Sequence, residues 1–132
     1  MRMRGFRYAK IASEQSDFHL QHIGAALMYG SKLIAVGYNS EKTHSNQKIY
    51  NRFRNFDTSQ MPNKLHAEMM VLNKVQYLDI DFSKAELYIW RGGKNGPLLS
   101  KPCPACEARI REMGIRKVFY TGNDSYIEEK FI

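Results

Sequence analysis

Apolar positions along the chain change their period several times, and each change marks an element. Over residues 7 to about 17, Tyr8, Ile11 and Ala12 recur at a spacing that predicts a helix with one buried face. Two apolar runs follow, at 23–29 and 33–39, separated by Gly30-Ser31-Lys32, which predicts a β-hairpin with a short turn. From 40 to 63 the pattern dissolves into polar, basic and aromatic residues, as in a long surface loop holding at most a short helix; loops of that length in compact domains are often functional. Between about 66 and 75, Ala67, Met69, Met70, Val71, Leu72 and Val75 leave few polar sides, so a helix packed against a sheet is expected there. "AELYIW" at 85–90 predicts a strand, and "RGGKNGPLLSK" a glycine-rich excursion. Residues 104–113 predict a helix stopped by Gly114, and "KVFYT" at 117–121 another strand. The closing "NDSYIEEKFI" leaves room for one short strand or helix.

The order helix, hairpin, helix, strand, helix, strand describes an α/β protein. Its 85–121 stretch is a βαβ unit, whose two strands should lie parallel with a right-handed crossover. At 132 residues a single domain, 1–132, is expected, long enough to bury one core. Hydrophobic residues at 43% and charged ones at 25% exclude a disordered chain. No apolar run approaches the roughly 18 residues of a membrane span, and "MRMRGFRYAK" lacks the apolar centre of a secretory signal, so a cytoplasmic location is expected. The net charge of +7 favours anionic partners, nucleotides or nucleic acid, although basic residues also serve as a solvated face. They cluster at Arg2, Arg4, Arg7 and Lys10, and at Lys42, Lys48, Arg52, Arg54 and Lys64.

Two cysteines, both in one CxxC, rule out a disulfide-stapled scaffold and leave metal, redox work or packing. In "KPCPAC", Cys103 and Cys106 share one side of a helical turn, with Pro104 at the first helical position. A helix N-terminus favours thiolates and is a good place to hold zinc. "KLHAEMMVLNK" poses a puzzle: His66 and Glu68, two apart inside a regular helix, would point to nearly opposite sides. If His66 is instead the cap or the first helical residue, both can face one cavity at the helix end. Two helix N-termini would then converge on one metal through His66, Cys103 and Cys106. Structural zinc sites close with four protein ligands, whereas three leave a position for water, and Glu68 is placed to take that water's proton. HxE alone and CxxC alone are common; HAE opening one helix and PCxxC opening the next are far more specific together.

The residues His66, Ala67 and Glu68, with Pro102, Cys103, Pro104, Ala105 and Cys106, resemble the HxE…PCxxC signature of the zinc-dependent cytidine and deoxycytidylate deaminase superfamily. "IGAAL…VGYN" looks like that family's first hairpin, so the similarity spans 23–121, closest in flavour to the deoxycytidylate-deaminase-like proteins of bacteria and phages. The resemblance implies a three-layer α/β/α fold with a mixed sheet of four to five strands, the last ones parallel, and helices on both faces. It implies zinc on His66, Cys103 and Cys106, Glu68 as proton shuttle, Asn39 at the sugar, the Ala67 backbone at the base, and His44 at the pocket edge. Parallel placement of 117–121 resembles the deoxycytidylate and tRNA-adenosine branch, as against the small cytidine deaminases, where the last strand returns by a hairpin. Self-association through the motif helices and neighbouring loops is implied as well.

The first expectation for function is therefore deamination of cytosine in a free nucleotide, deoxycytidylate or a relative, with a phosphate held by the Lys and Arg of the 40–63 loop. The second is a polynucleotide deaminase acting on single-stranded DNA or RNA, supported by the charge and by "IYNRFRNF", where Tyr50, Phe53 and Phe56 could stack bases. The third is a non-enzymatic binding module, hard to reconcile with an intact ligand set plus Glu68.

Overall fold

A computed structural model describes residues 3–16, 22–43, 64–93 and 96–131. The chain forms α1 (Met3–Ser13), the hairpin β1 (Ile23–Tyr29) and β2 (Lys32–Tyr38), and a short pair β3 (Ser40–Thr43) and β4 (Lys64–Leu65). It continues with α2 (Ala67–Val75), β5 (Ala85–Gly93), β6 (Gly96–Pro97), α3 (Pro104–Met113), β7 (Lys117–Gly122) and β8 (Ser125–Lys130). The main sheet runs β2-β1-β5-β7-β8, with β6 paired to β5. β5 and β7 are parallel, as the βαβ reading requires, and every other neighbour pair is antiparallel. No helix among the described residues is long and apolar enough to cross a membrane.

Alternation along the strands splits the core into two. Ala25, Leu27, Leu87, Ile89, Val118 and Tyr120 face α2, supplying Val71, Leu72 and Val75, and α3, supplying Ile110. Ala26, Met28, Tyr88 and Phe119 face the other way, onto Phe6 and Ala9 of α1. The expected three layers are present.

Several expectations need correcting in detail. The first helix starts at Met3 and ends at Ser13, and its buried side is Gly5, Phe6, Ala9, Ala12 and Ser13; Ile11 is 50% exposed. Long-range contacts chose that side. Gly5 lies against the Tyr88 ring, and Gly24 of β1 against the Ala9 carbonyl oxygen, so the helix can approach the sheet only along this line. Residues 40–43, expected in a loop, form β3 because β4 offers a partner; most of that loop, with His44, lies outside the described residues. β8 returns antiparallel on β7 through Asn123-Asp124, Asp124 adopting φ 59°. A last strand returning by a hairpin is the feature ascribed to the small cytidine deaminases, so the β5/β7 parallel pairing does not by itself select a branch.

A Cβ at Gly24 would meet backbone atoms of Ala9 and Ser13, which cannot rotate away. Gly24→Ala is expected to lower the unfolding free energy by about 3 kcal/mol, the upper range for overpacking, read as a reduced urea midpoint at unchanged m-value.

Candidate metal centre

His66 is the N-cap of α2, with φ −82° and ψ 155°, and Cys103 the N-cap of α3, with φ −69° and ψ 164°. Each accepts the first helical hydrogen bond on its carbonyl, from Met70 N–H at 3.0 Å and Glu107 N–H at 2.9 Å. Neither side chain caps its own helix. This extended backbone resolves the His66/Glu68 puzzle, because the helical rotation begins only at Ala67.

The approach to each cap is pinned. Leu65, just before His66, pairs with Ser40, just after Asn39, so the hairpin's end and the start of α2 are held together. Tyr38 N–H donates to Met70 Sδ at 3.4 Å, and a Cβ on Gly37 would stand 2.7 Å from the Ala67 carbonyl oxygen. Only a glycine lets β2 lie this close to the first turn of α2. Cys103 is positioned from the other side by Ser100, which sits where β5 and β7 diverge. The buried Ser100 hydroxyl donates to the Ile89 carbonyl at 3.1 Å and accepts from Thr121 N–H at 2.9 Å, while Ser100 N–H donates to the Thr121 carbonyl at 2.8 Å. Leu99 N–H donates to Asn123 Oδ1 at 3.3 Å, and Asp124 N–H to the Pro97 carbonyl at 3.1 Å. The glycine-rich excursion is thus tied to the β7–β8 turn. Ser100→Ala would strand the Thr121 N–H in a buried place; we expect a loss of about 1–3 kcal/mol, seen as a melting temperature several degrees lower.

The three expected ligands come together. His66 Nδ1 lies 3.5 Å from Cys103 Sγ and 3.4 Å from Cys106 Sγ, and all three donor atoms fall within 4.8 Å of one another. A tetrahedral zinc with bonds of about 2.3 Å to sulfur and about 2.0–2.1 Å to nitrogen sets such atoms about 3.5 Å apart, so the donor set fits that ion. Binding through Nδ1 requires the imidazole proton on Nε2.

The electrostatics agree with a thiolate site. The Cys103 thiol is drawn down to about 3, first by the hydrogen bond from Cys106 and then by His66, while Cys106 is pushed well above its ordinary value by sharing that bond and by burial. Without a metal the pair therefore holds one proton between them. Glu68, 5% exposed in the first turn of α2, is raised above the usual carboxylate range by burial, against the opposing pull of His66. It is not one of the clustered donors.

Asn39 is buried, its Oδ1 accepting from Ile23 N–H at 2.9 Å and from the Ser16 hydroxyl at 2.5 Å. Those bonds fix its side chain beside the β3–β4 junction that leads into His66. Ala67 is wholly buried. Sequence reading did not single out Ser16, Gly37, Ser100 or Thr121, whose roles depend on partners 11 or more residues away.

The model of the cytidine and deoxycytidylate deaminase zinc-binding region matches residues 4–122. Among solved structures, the dCMP deaminase of cyanophage S-TIM5 in its apo form is 24% identical, with a TM-score of 0.64 over 91% of this chain and 81% of its own. The same phage enzyme in complex with dCMP and dUMP is similar at 23% identity and a TM-score of 0.61, covering 91% of this chain and 82% of its own. A cytidine deaminase from Burkholderia pseudomallei is 17% identical, with a TM-score of 0.67 over 98% of this chain and 92% of its own. At these identities the likeness speaks for the fold. No curated protein sequence matches the chain.

Proposed function

The chain belongs to the cytidine and deoxycytidylate deaminase family, and on that premise we propose that it hydrolytically deaminates cytosine in a free nucleotide of the deoxycytidylate type, releasing ammonia. What carries the reading is the convergence of His66 Nδ1 with both cysteine sulfurs next to the buried Glu68. His66, Cys103 and Cys106 would hold zinc, which when bound would supply the positive charge that makes water acidic enough, near pKa 7, to attack at neutral pH. Glu68 takes one proton of the attacking water and passes it to the ring nitrogen; it then takes the proton of the newly added hydroxyl and delivers it to the amino group, which leaves as ammonia while the carbonyl forms. Its proton affinity, raised by burial, suits a group that must both accept and return a proton. Asn39, locked by Ser16 and Ile23, meets the sugar, and the Ala67 backbone meets the base; His44, assigned to the pocket edge, lies outside the described residues. We place this chemistry in one domain, in the cytoplasm.

The polynucleotide reading leans on the net charge of +7 and on Tyr50, Phe53 and Phe56, which lie outside the described residues. The test offers deoxycytidylate, deoxycytidine and a cytosine-containing single strand to purified protein, with uracil product measured beside a Glu68→Ala control. Turnover of deoxycytidylate supports the proposal; turnover of the strand alone transfers it to the polynucleotide; inertness toward all three sinks both.

A further inference from the structure

The sheet face opposite the metal ligands carries an aromatic shelf with a basic edge. Trp90 and Tyr126 sit side by side on that face, ring centroids 6.3 Å apart, and Tyr126 also rests on the buried Phe6 ring at 4.6 Å. Tyr126 is 41% exposed although it packs on Phe6, so an outer part of its ring is left to solvent above a rigid base. The Trp90 indole reaches over Gly92, where a Cβ would stand 3.0 Å from Nε1, and Lys10 Nζ lies 5.4 Å from its ring centroid. Lys10 belongs to the exposed side of α1, one turn after the exposed Arg7, and α1 itself contains no acidic residue. The carboxylate on the same face of β8 is Glu128, two residues from Tyr126.

We propose that this shelf is a second binding surface, separate from the metal centre, for single-stranded nucleic acid. A base stacks on Tyr126 beside Trp90, and phosphates on either side meet Lys10 and Arg7. Stacking on a ring braced from behind loses little side-chain freedom, and cations at the shelf's edge lie where the backbone of a stacked strand would run. Charge complementarity favours this occupant: the chain carries +7 and the helix bordering the shelf is purely basic. The surface requires no turnover, so it stands or falls independently of the deaminase reading.

The chain has a single tryptophan, and it lies in the shelf, so its emission reports on this place. The experiment titrates the full protein with a thymidine dodecamer, which offers no cytosine to deaminate, at low salt. Expected are saturable quenching of Trp90, an affinity falling with salt at a log–log slope of about −1.4 for two phosphates, and a weaker slope in Lys10→Ala. Tyr126→Ala should weaken binding by on the order of tenfold and Tyr126→Phe should restore it, with circular dichroism confirming that both are folded. Glu128→Gln should tighten binding. Unchanged Trp90 emission through the titration, equal quenching by a duplex of the same length, or full affinity in folded Tyr126→Ala would each overturn the proposal.

Discussion

Glu68→Gln is expected to lower kcat/KM for deamination by about three to four orders of magnitude while leaving metal content and fold intact. The substitution keeps the shape of a side chain that is 5% exposed, so no cavity opens. It removes the ability to accept or release a proton. A single general acid or base contributes roughly 10²- to 10⁴-fold, and Glu68 is asked to serve in successive transfers, which puts the loss at the upper end. The donor set His66, Cys103 and Cys106 does not include Glu68, so elemental analysis should still find about one zinc per chain. Retention of more than a tenth of the activity would show that another group moves the protons.

The same variant carries a stability signature in metal-free protein. Burial raises the Glu68 pKa in the folded state, so folded protein binds this proton more tightly than unfolded protein does. The contribution is present at low pH and is lost as pH rises through the folded-state value. Glu68→Gln should abolish that part of the slope, leaving the variant at least as stable as its parent above the folded-state value, where an ionised buried carboxylate is costly. Urea unfolding at several pH values measures both.

What the sequence disclosed, and what it withheld, follow the range of the interactions involved. The helix 104–113 was legible to the residue because its determinants are local: Pro104 at the first position and Gly114 after the last, in the left-handed conformation at φ 86°. The β1–β2 hairpin was legible for the same reason, and so was the placing of His66 at the helix end, as cap or first residue; the structure makes it the cap. The orientation of α1 was not. Ile11 and Tyr8 advertise one face, but glycines at 5 and 24 decide which side can reach the sheet, and that is a matter of close approach between segments far apart in the chain. β8 is a short edge strand, Ser-Tyr-Ile-Glu-Glu-Lys, whose apolar residues are adjacent instead of alternating, so its sequence does not separate strand from helix until β7 offers a partner. The Ser100–Thr121 clamp had no local sign either: a serine in a glycine-rich stretch reads as turn, and only the divergence of two parallel strands gives it buried partners. Thus the donor set could be read from motif spacing, and the scaffolding that aims it could not.

Removing the metal is expected to have the second large effect, on stability as well as activity. With zinc held at about a thousand times its dissociation constant, linkage gives about 4 kcal/mol of stabilisation. For a domain of this size each kcal/mol moves the midpoint by about 4 °C, so dialysis against a strong chelator should lower the melting temperature by roughly 15 °C. Affinity should also depend on pH in a defined direction. One proton is shared by Cys103 and Cys106 in the metal-free state, the first drawn down to about 3 and the second pushed up, and zinc requires both as thiolates. Binding near neutrality therefore expels about one proton from the pair, and affinity rises about tenfold per pH unit; proton release into a weakly buffered solution measures it directly. Cys106→Ser should cost the metal and the stabilisation together, since its sulfur lies 3.4 Å from His66 Nδ1 inside the core and a hydroxyl there is a poor ligand. If chelation left the melting temperature unchanged, or if Cys106→Ser still held stoichiometric zinc, this cluster would not be where the metal sits.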